Sequence, residues 1–188
     1  MVEMGLFNLN IIEINSEYSL LCCGVKLLID YDDFLFENRR YWNSLDSDLI
    51  IQLINADYVA GLTHLELIGK QIWSLYEKKL LISKNIELEI LLRIACSNQI
   101  SYSIKHVGVN KKMKNVGIIV FGPKKSINSF YNNLNNYCII DNKILDINEN
   151  KIDFLSRFHQ IPSNIICSLT NEKLLSHFLA EKAVIINK

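Results

Sequence analysis

The residues that could do acid–base or metal chemistry are scattered along the chain. The four histidines are far apart, and none has a cysteine or carboxylate at metal-ligand spacing: His64, His106, His159 and His177. His64 lies two residues before Glu66, a spacing that does not place both side chains on one helix face. A polar position in the first turn of a helix is therefore the preferred interpretation of His64, and we predict no metal site.

Glu89 lies within a strongly apolar segment. Burial could tune the pKa of such a carboxyl for catalysis, but Arg93 follows four residues later, which is the favourable order for an ion pair on a helix. The chain also lacks a phosphate-binding glycine loop and a G-x-S-x-G nucleophile motif. These patterns predict a protein that is not an enzyme and that uses no cofactor, metal or small-molecule substrate.

Lysines cluster where two predicted helices meet. Lys78 and Lys79 end the first helix, Lys84 begins the second, and Arg93 lies further along it. Cations that contact phosphates beside flat or apolar groups are typical of sites for single-stranded RNA ends. A solvated helix end, favoured by the helix dipole, is the alternative. Ordinary solubilising charge is the preferred interpretation of five further lysines: Lys111, Lys112, Lys114, Lys124 and Lys125.

Composition limits the class of protein. The 188 residues are 49% hydrophobic and 21% charged with a formal net charge of zero, which indicates a globular chain with at most a local RNA-binding patch. No pattern of a signal peptide or a membrane span is seen, so we expect a soluble cytoplasmic protein. The cysteines are predicted to be small, mostly buried side chains in a reducing compartment: Cys22, Cys23, Cys96, Cys138 and Cys167.

The apolar periodicity predicts one α/β domain over residues 1–188, of the α+β type, with a small mixed β-sheet and a bundle of helices packed on it. Strands are predicted at 6–14, 18–29, 49–54 and 116–121, with a possible edge strand at 138–140. Helices are predicted at 30–45, from Thr63 onward, and at 83–97, 99–107, 124–136, 151–158, 163–169 and 171–186. Gly24 marks a possible bulge, and Thr63 with Glu66 fits a capping box.

Several short motifs in one register resemble the TPRKB-type subunit of the KEOPS complex, also called EKC. They are Asp57-Tyr58-Val59-Ala60-Gly61-Leu62-Thr63-His64-Leu65, Ile82-Ser83-Lys84-Asn85, Leu88-Glu89-Ile90-Leu91-Leu92, Asn98-Gln99-Ile100-Ser101, Val107-Gly108-Val109, Val116-Gly117-Ile118-Ile119-Val120-Phe121 and, near the end, Glu181-Lys182-Ala183-Val184-Ile185. The chain departs from the family at Asn98, where a basic residue is frequent, and at His159-Gln160, where a glycine is frequent.

The resemblance implies a non-catalytic subunit that binds the kinase-like ATPase subunit of KEOPS and modulates it. It also implies that the protein helps to dock tRNA by its 3′ CCA end, while another subunit installs threonylcarbamoyl next to the anticodon. The RNA-binding residues that follow from the lysine cluster and the family motifs are Lys78, Lys79, Lys84, Asn85, Arg93 and Gln99.

The last predicted helix is a candidate for the partner surface through Leu175, Phe178 and Leu179. An interface should expose a contiguous apolar patch with few charges at its centre. Packing of the same face on the protein's own core is the equal alternative, since amphipathicity does not separate the two. A protein-interaction module without RNA contact, and an enzyme using Glu89 and His64, are the competing functional hypotheses.

Overall fold

The computed structural model describes residues 11–45, 49–166, 168–169 and 171–186. The strands are β1 (Ile11–Glu13), β2 (Ser19–Leu27), β3 (Ile50–Asn55), β4 (Asn115–Gly122) and β5 (Cys138–Ile140). The helices are α1 (Tyr31–Leu45), α2 (Leu62–Glu77), α3 (Ile86–Ala95), α4 (Ile100–Val107), α5 (Lys124–Leu134), α6 (Glu149–Phe158), α7 (Ser163–Ile166) and α8 (Glu172–Val184). Short 3₁₀ turns occupy Ala56–Tyr58 and Asn142–Leu145.

The strands form one sheet in the order β1-β2-β4-β3. Strand β5 pairs with the last residues of β2, on the same edge of β2 as β1. The α+β architecture is confirmed, but every pairing among the described strands is antiparallel, although we predicted a mixed sheet. Strand direction depends on how the connections return, which local apolar patterns do not encode. The strand predicted at 6–14 is described only from residue 11 onward.

Strand β2 is buried on both faces because helices cover the sheet from both sides. Leu20 and Cys22 belong to the core under α2 and α3, whereas Leu21 and Cys23 belong to the core under α1 and α5. Successive side chains of a strand point to opposite faces, which explains this division. Gly24 pairs with Gly117 without a bulge. The close packing explains the glycine at position 24, because a Cβ atom there would lie 2.8 Å from the carbonyl oxygen of Asp141.

Helix α3 is the central helix of the larger core. Eight of its ten residues are buried, in agreement with the nearly continuous apolar surface predicted for it. The cysteines Cys22, Cys23 and Cys138 are buried and Cys96 is half-buried, all as free thiols, whereas Cys167 lies outside the described residues. In the described part of the chain, no helix is long and apolar enough to span a membrane.

The start of α2 differs from the predicted capping box. The helix begins at Leu62 with Gly61 as its N-cap, so Thr63 lies inside the first turn and no side chain caps the helix. The prediction was wrong because Gly61 adopts φ 87° and ψ 168°, a conformation essentially restricted to glycine. That glycine starts the helix two positions earlier than a Thr63 N-cap would have done.

Candidate nucleic-acid and partner interface

Helices α2 and α8 lie side by side and run in the same direction. The Ser176 hydroxyl near the start of α8 donates a hydrogen bond to the Ala60 carbonyl just before α2. Further along both helices, Gln71 Nε2 donates to the carbonyl oxygen of Ala180 at 3.1 Å. The order of these contacts is the same in both helices, so their carboxyl ends lie at the same end of the bundle.

Helix α3 runs in the opposite direction to α8. Cys96, after the end of α3, contacts the Leu179 carbonyl at 3.7 Å, whereas Arg93 Nη1 donates to the Ala183 carbonyl at 2.7 Å. The amino end of α3 therefore lies beside the carboxyl ends of α2 and α8. We call this part of the surface the basic end. It consists of Lys78, Lys79, Leu80, Lys84, Asn85, Val184 and Ile185.

The chain leaves α2 through a fixed turn. The Lys79 amide donates to the Tyr76 carbonyl at 3.0 Å, and the Leu80 amide donates to the Leu75 carbonyl at 2.8 Å. This is the Schellman pattern, which normally has glycine in the left-handed position. Here that position is Lys79, with φ 57°. The exposed ammonium group of Lys79 thus projects from a backbone whose geometry is set by hydrogen bonds.

Lys84 and Asn85 are exposed at the amino end of α3. Asn85 is the N-cap residue, but its side chain makes no capping hydrogen bond, so its amide group is free to face solvent. The amino end of a helix carries a partial positive charge that favours anions. These two residues therefore place a cation, an amide and a positive helix end on the same turn.

A buried ion pair connects the basic end to the interior. Glu89 Oε1 accepts from Arg93 Nε at 2.8 Å and lies 2.7 Å from Arg93 Nη2. Glu89 Oε2 accepts from the Ser83 amide at 2.7 Å, and Arg93 donates to the Ala183 carbonyl. The pair thus ties the turn before α3 to the end of α8, with Glu89 fully buried and Arg93 only 2% exposed.

The prediction that Glu89 pairs with Arg93 is confirmed, but the placement of Arg93 on an RNA surface was wrong. A buried guanidinium must be paired and hydrogen-bonded, and its partners here are a carboxylate and a backbone carbonyl inside the protein. Arg93 therefore supports the basic end from below and does not present its charge to a ligand.

Sequence patterns did not identify the apolar part of the basic end. Leu80 is 55% exposed, Val184 51% and Ile185 72%. No sequence pattern marked any of the three as exposed, because exposure at the end of an amphipathic helix depends on which neighbouring segments pack there. Lysines here can contact the phosphates of a nucleic acid, and the aliphatic side chains beside them add apolar surface.

Gln99 lies apart from the other predicted RNA-binding residues. It is exposed and precedes α4, and its carbonyl oxygen accepts from the amide and the hydroxyl of Ser103. The ten residues of α3 separate it from Asn85, which at 1.5 Å per residue corresponds to about 15 Å. The structure therefore brings Lys78, Lys79, Lys84 and Asn85 together and leaves Gln99 at the opposite end of α3.

The predicted partner face of α8 is mostly internal. Leu175 and Leu179 are fully buried in a core cluster beneath α6 and α7, and Phe178 is half-buried against the same cluster. Placing Leu175 and Leu179 on a partner surface was therefore wrong, because their apolar face packs on the protein's own core. Leu174, one turn before Phe178, is 46% exposed.

Three of the remaining lysines form exposed ion pairs. Each lies within 3 Å of a carboxylate: Lys111 with Asp32, Lys114 with Asp30 and Lys124 with Glu13. Pairs of this kind contribute little to stability, and they agree with the preferred interpretation of these lysines as solubilising charge. In the part of the chain that the structure describes, no group of three or more histidine, cysteine or acidic side chains could hold a metal ion.

The glycine before α2 is closely packed against α8. A Cβ at Gly61 would overlap the Glu172 side chain. We expect Gly61→Ala to lower the free energy of unfolding by about 2–3 kcal/mol, since alanine is strained at this positive φ whatever the space. Urea unfolding measures the change. Adding Glu172→Ala removes the overlap and not the strain, so the double variant should recover only a small part of the loss. Full recovery would contradict the backbone explanation.

His64 lies in the first turn of α2, as predicted, and it is fully buried there. Its Nδ1 accepts from the Ala60 amide at 3.2 Å, so the ring helps to hold the turn before α2. Burial, aided by nearby Lys151, lowers the pKa of His64 from 6.5 to about 3. Burial likewise lowers the pKa of His159 to about 3, with smaller effects from His64 and Lys182. Both rings are therefore neutral in the folded protein at neutral pH.

The lowered pKa values of His64 and His159 predict that the folded protein loses stability in acid. The unfolded chain binds a proton on each near pH 6.5 while the folded chain does not, so stability present above that pH falls as the pH drops towards 3. Each histidine should contribute up to about 1.4 kcal/mol per pH unit. Urea unfolding at several pH values checks this. His159→Gln should reduce the pH dependence, and a slope equal to that of the native protein would contradict it.

Comparison with known families supports the resemblance seen in the motifs. Residues 37–178, more than half of the chain, match the family described as "Kinase binding protein CGI-121". The matched range contains the turn at 78–85, the buried ion pair of α3 and the first half of α8. A comparison with curated proteins gave no match. The chain belongs to the CGI-121 family of kinase-binding proteins, which is the TPRKB family.

Proposed function

We propose that this protein is a non-catalytic accessory subunit of the KEOPS complex. It binds the kinase-like ATPase subunit, modulates its activity and helps to recruit tRNA by the 3′ CCA end for threonylcarbamoylation of the adenosine next to the anticodon. The observation that carries the proposal is the match to a kinase-binding family over residues 37–178. The tRNA role is the finer part, and it rests on the family resemblance together with the basic end.

The basic end has the composition that an RNA terminus requires. Lys78, Lys79 and Lys84 are exposed and can contact phosphates. Leu80 and Ile185 are exposed apolar side chains that can contact the faces of bases by van der Waals packing. Because the chain has no net charge, nothing outside a local patch attracts RNA strongly, so binding should be modest and sensitive to salt.

For the kinase contact, we assign the outer face of α8 around Leu174 and Phe178. These residues are four apart and therefore lie on the same helix face. Leu174 is 46% exposed and Phe178 is half-buried, so they extend the core cluster to the surface. This face replaces the one that included Leu175 and Leu179.

Binding of tRNA with and without its 3′ CCA tests the recruitment role. Fluorescence anisotropy of labelled tRNA with the purified protein, over a series of salt concentrations, measures the dissociation constant. We expect intact tRNA to bind more tightly than the truncated tRNA, with an affinity that falls as salt rises. Equal affinity for the two RNAs would remove the assignment of the basic end to the CCA terminus.

A protein-interaction module without RNA contact is the second candidate. The burial of Arg93 favours it, since one of the predicted RNA-binding cations is not available to RNA. If neither the free protein nor its complex with the kinase-like subunit binds tRNA at low salt, and that complex forms normally, this second function is the correct one.

A further inference from the structure

A cavity of about 300 Å³ lies between α6 and α7. Its lining consists of Asp153, Ser156, Arg157, Gln160, Ile161 and Ile166. The volume is at the lower limit of small-molecule sites, so a ligand here must be small. Asp153, Ser156 and Arg157 follow the i, i+3, i+4 spacing of one face of α6, and Gln160 lies just past its end. Together they give the cavity a polar wall. The two isoleucines give it an apolar one.

One polar atom in this wall has no partner. Ser156 is only 4% exposed, and its hydroxyl makes no hydrogen bond within the described part of the chain. Buried hydroxyl groups almost always have a partner, and each exception calls for an explanation. Ser156 lines the cavity, but its hydroxyl oxygen is enclosed. Rotation about the Cα–Cβ bond would turn the hydroxyl towards the cavity, where a polar atom of a bound ligand would supply the missing partner.

Two side chains of opposite charge in the wall, Asp153 and Arg157, do not form an ion pair with each other. Asp153 and Arg157 have the spacing and order that favour an ion pair on a helix. Arg157 Nε instead donates to the backbone carbonyl of Asp153 at 3.3 Å, and no ion pair joins the two side chains among the described residues. The wall therefore presents a carboxylate and a guanidinium that can each take a partner of opposite charge.

Gln160 occupies a position that normally belongs to glycine. Its φ is 51°, and the Ile161 amide donates to the Ser156 carbonyl at 2.8 Å, which is the Schellman ending of α6. A strained residue kept where glycine would be more stable is a reason to suspect a role for its side chain. The amide of Gln160 lines the same cavity and can both donate and accept hydrogen bonds.

We propose that this cavity binds a free α-amino acid with an aliphatic side chain. The ligand carboxylate pairs with Arg157, its ammonium group pairs with Asp153, and its aliphatic part contacts Ile161 and Ile166. Ser156 and Gln160 hydrogen-bond its polar end. An unpaired acid, an unpaired base and an apolar wall in one small cavity match a zwitterion with an apolar side chain.

NMR titration of the full-length protein with leucine tests the proposal. We expect saturable shifts of the Ser156, Arg157 and Gln160 amides with a dissociation constant on the order of 1 mM, as suits so small a ligand. N-acetyl-leucine lacks the ammonium group and leucinamide lacks the carboxylate, so each should bind at least about tenfold more weakly. The absence of saturable shifts with leucine, or equal binding of all three compounds, would overturn the proposal.

Two variants and a dipeptide complete the test. Asp153→Asn and Arg157→Gln change exposed side chains, so the fold should persist while leucine affinity falls at least about tenfold. Lys173→Gln, an exposed change outside the cavity, should leave the affinity unchanged. Leucyl-leucine has its two charges farther apart and should bind weakly. Undiminished binding by Arg157→Gln, or a dipeptide that binds as tightly as leucine, would show that the ligand is not a free amino acid.

Discussion

Replacing Arg93 with alanine should lower the free energy of unfolding by about 3–5 kcal/mol, because the change leaves the Glu89 carboxylate buried without its cation. Glu89 is fully buried, and Arg93 provides two of its close contacts. The Arg93 guanidinium also holds the Ala183 carbonyl, so the variant should loosen the end of α8. Urea unfolding gives the change in stability, and amide hydrogen exchange at residues 83–85 and 184–185 gives the local effect.

Replacing both Glu89 and Arg93 distinguishes the cost of an unpaired buried charge from the cost of lost packing. A Glu89→Leu, Arg93→Met protein buries no charge and should be much more stable than Arg93→Ala, since apolar replacements of similar volume are often neutral or stabilising. The Ser83 amide then loses its acceptor, so exchange at the turn before α3 should remain fast. A double variant as unstable as Arg93→Ala would contradict the role of the uncompensated charge.

Reversing the three lysines of the basic end should weaken tRNA binding on the order of 10²–10³-fold at low salt, because three attractions to phosphates become repulsions. The protein is Lys78→Glu, Lys79→Glu, Lys84→Glu. All three side chains are exposed, so the fold should be retained. Anisotropy titrations at several salt concentrations should also show a shallower salt dependence, since fewer counterions are released.

Two controls make this result specific. A control protein carries glutamate in place of three exposed lysines elsewhere, Lys112, Lys125 and Lys173. It has the same net charge as the first triple variant, and its tRNA binding should be reduced far less. Lys79→Gly removes one ammonium group but relieves the left-handed backbone, so it should weaken binding while stabilising the protein by up to about 1 kcal/mol. If both triple variants bind equally weakly, then net charge and not the basic end controls the interaction.

Local sequence patterns predicted the elements and the lysine-rich junction. The strand over 116–121 and the buried helix over 83–97 appear as β4 and α3 within a few residues. The spacing of Glu89 and Arg93 correctly predicted an ion pair. Apolar periodicity and i,i+4 spacing are properties of a short segment, which is why they can be recognised without knowledge of the rest of the fold.

The errors concern faces that are decided by distant segments. Arg93 is internal because the end of α8, about ninety residues later, covers it and supplies a carbonyl acceptor. Leu175 and Leu179 are internal because α6 and α7 lie over them. Gln99 and Asn85 are close in sequence, but the rigid length of α3 keeps them apart. The parallel arrangement of α2 and α8, which creates the basic end, has no signal in the sequence.

The central claim is that this chain is a kinase-binding accessory subunit, and calorimetric titration of the purified protein into the kinase-like ATPase subunit of KEOPS tests it most directly. We predict saturable binding of one copy to one, weakened at least about tenfold by Leu174→Glu, which places a charge in the centre of the proposed contact. No binding by the native protein would contradict the account. Native binding that Leu174→Glu leaves unchanged would contradict the assignment of the outer face of α8.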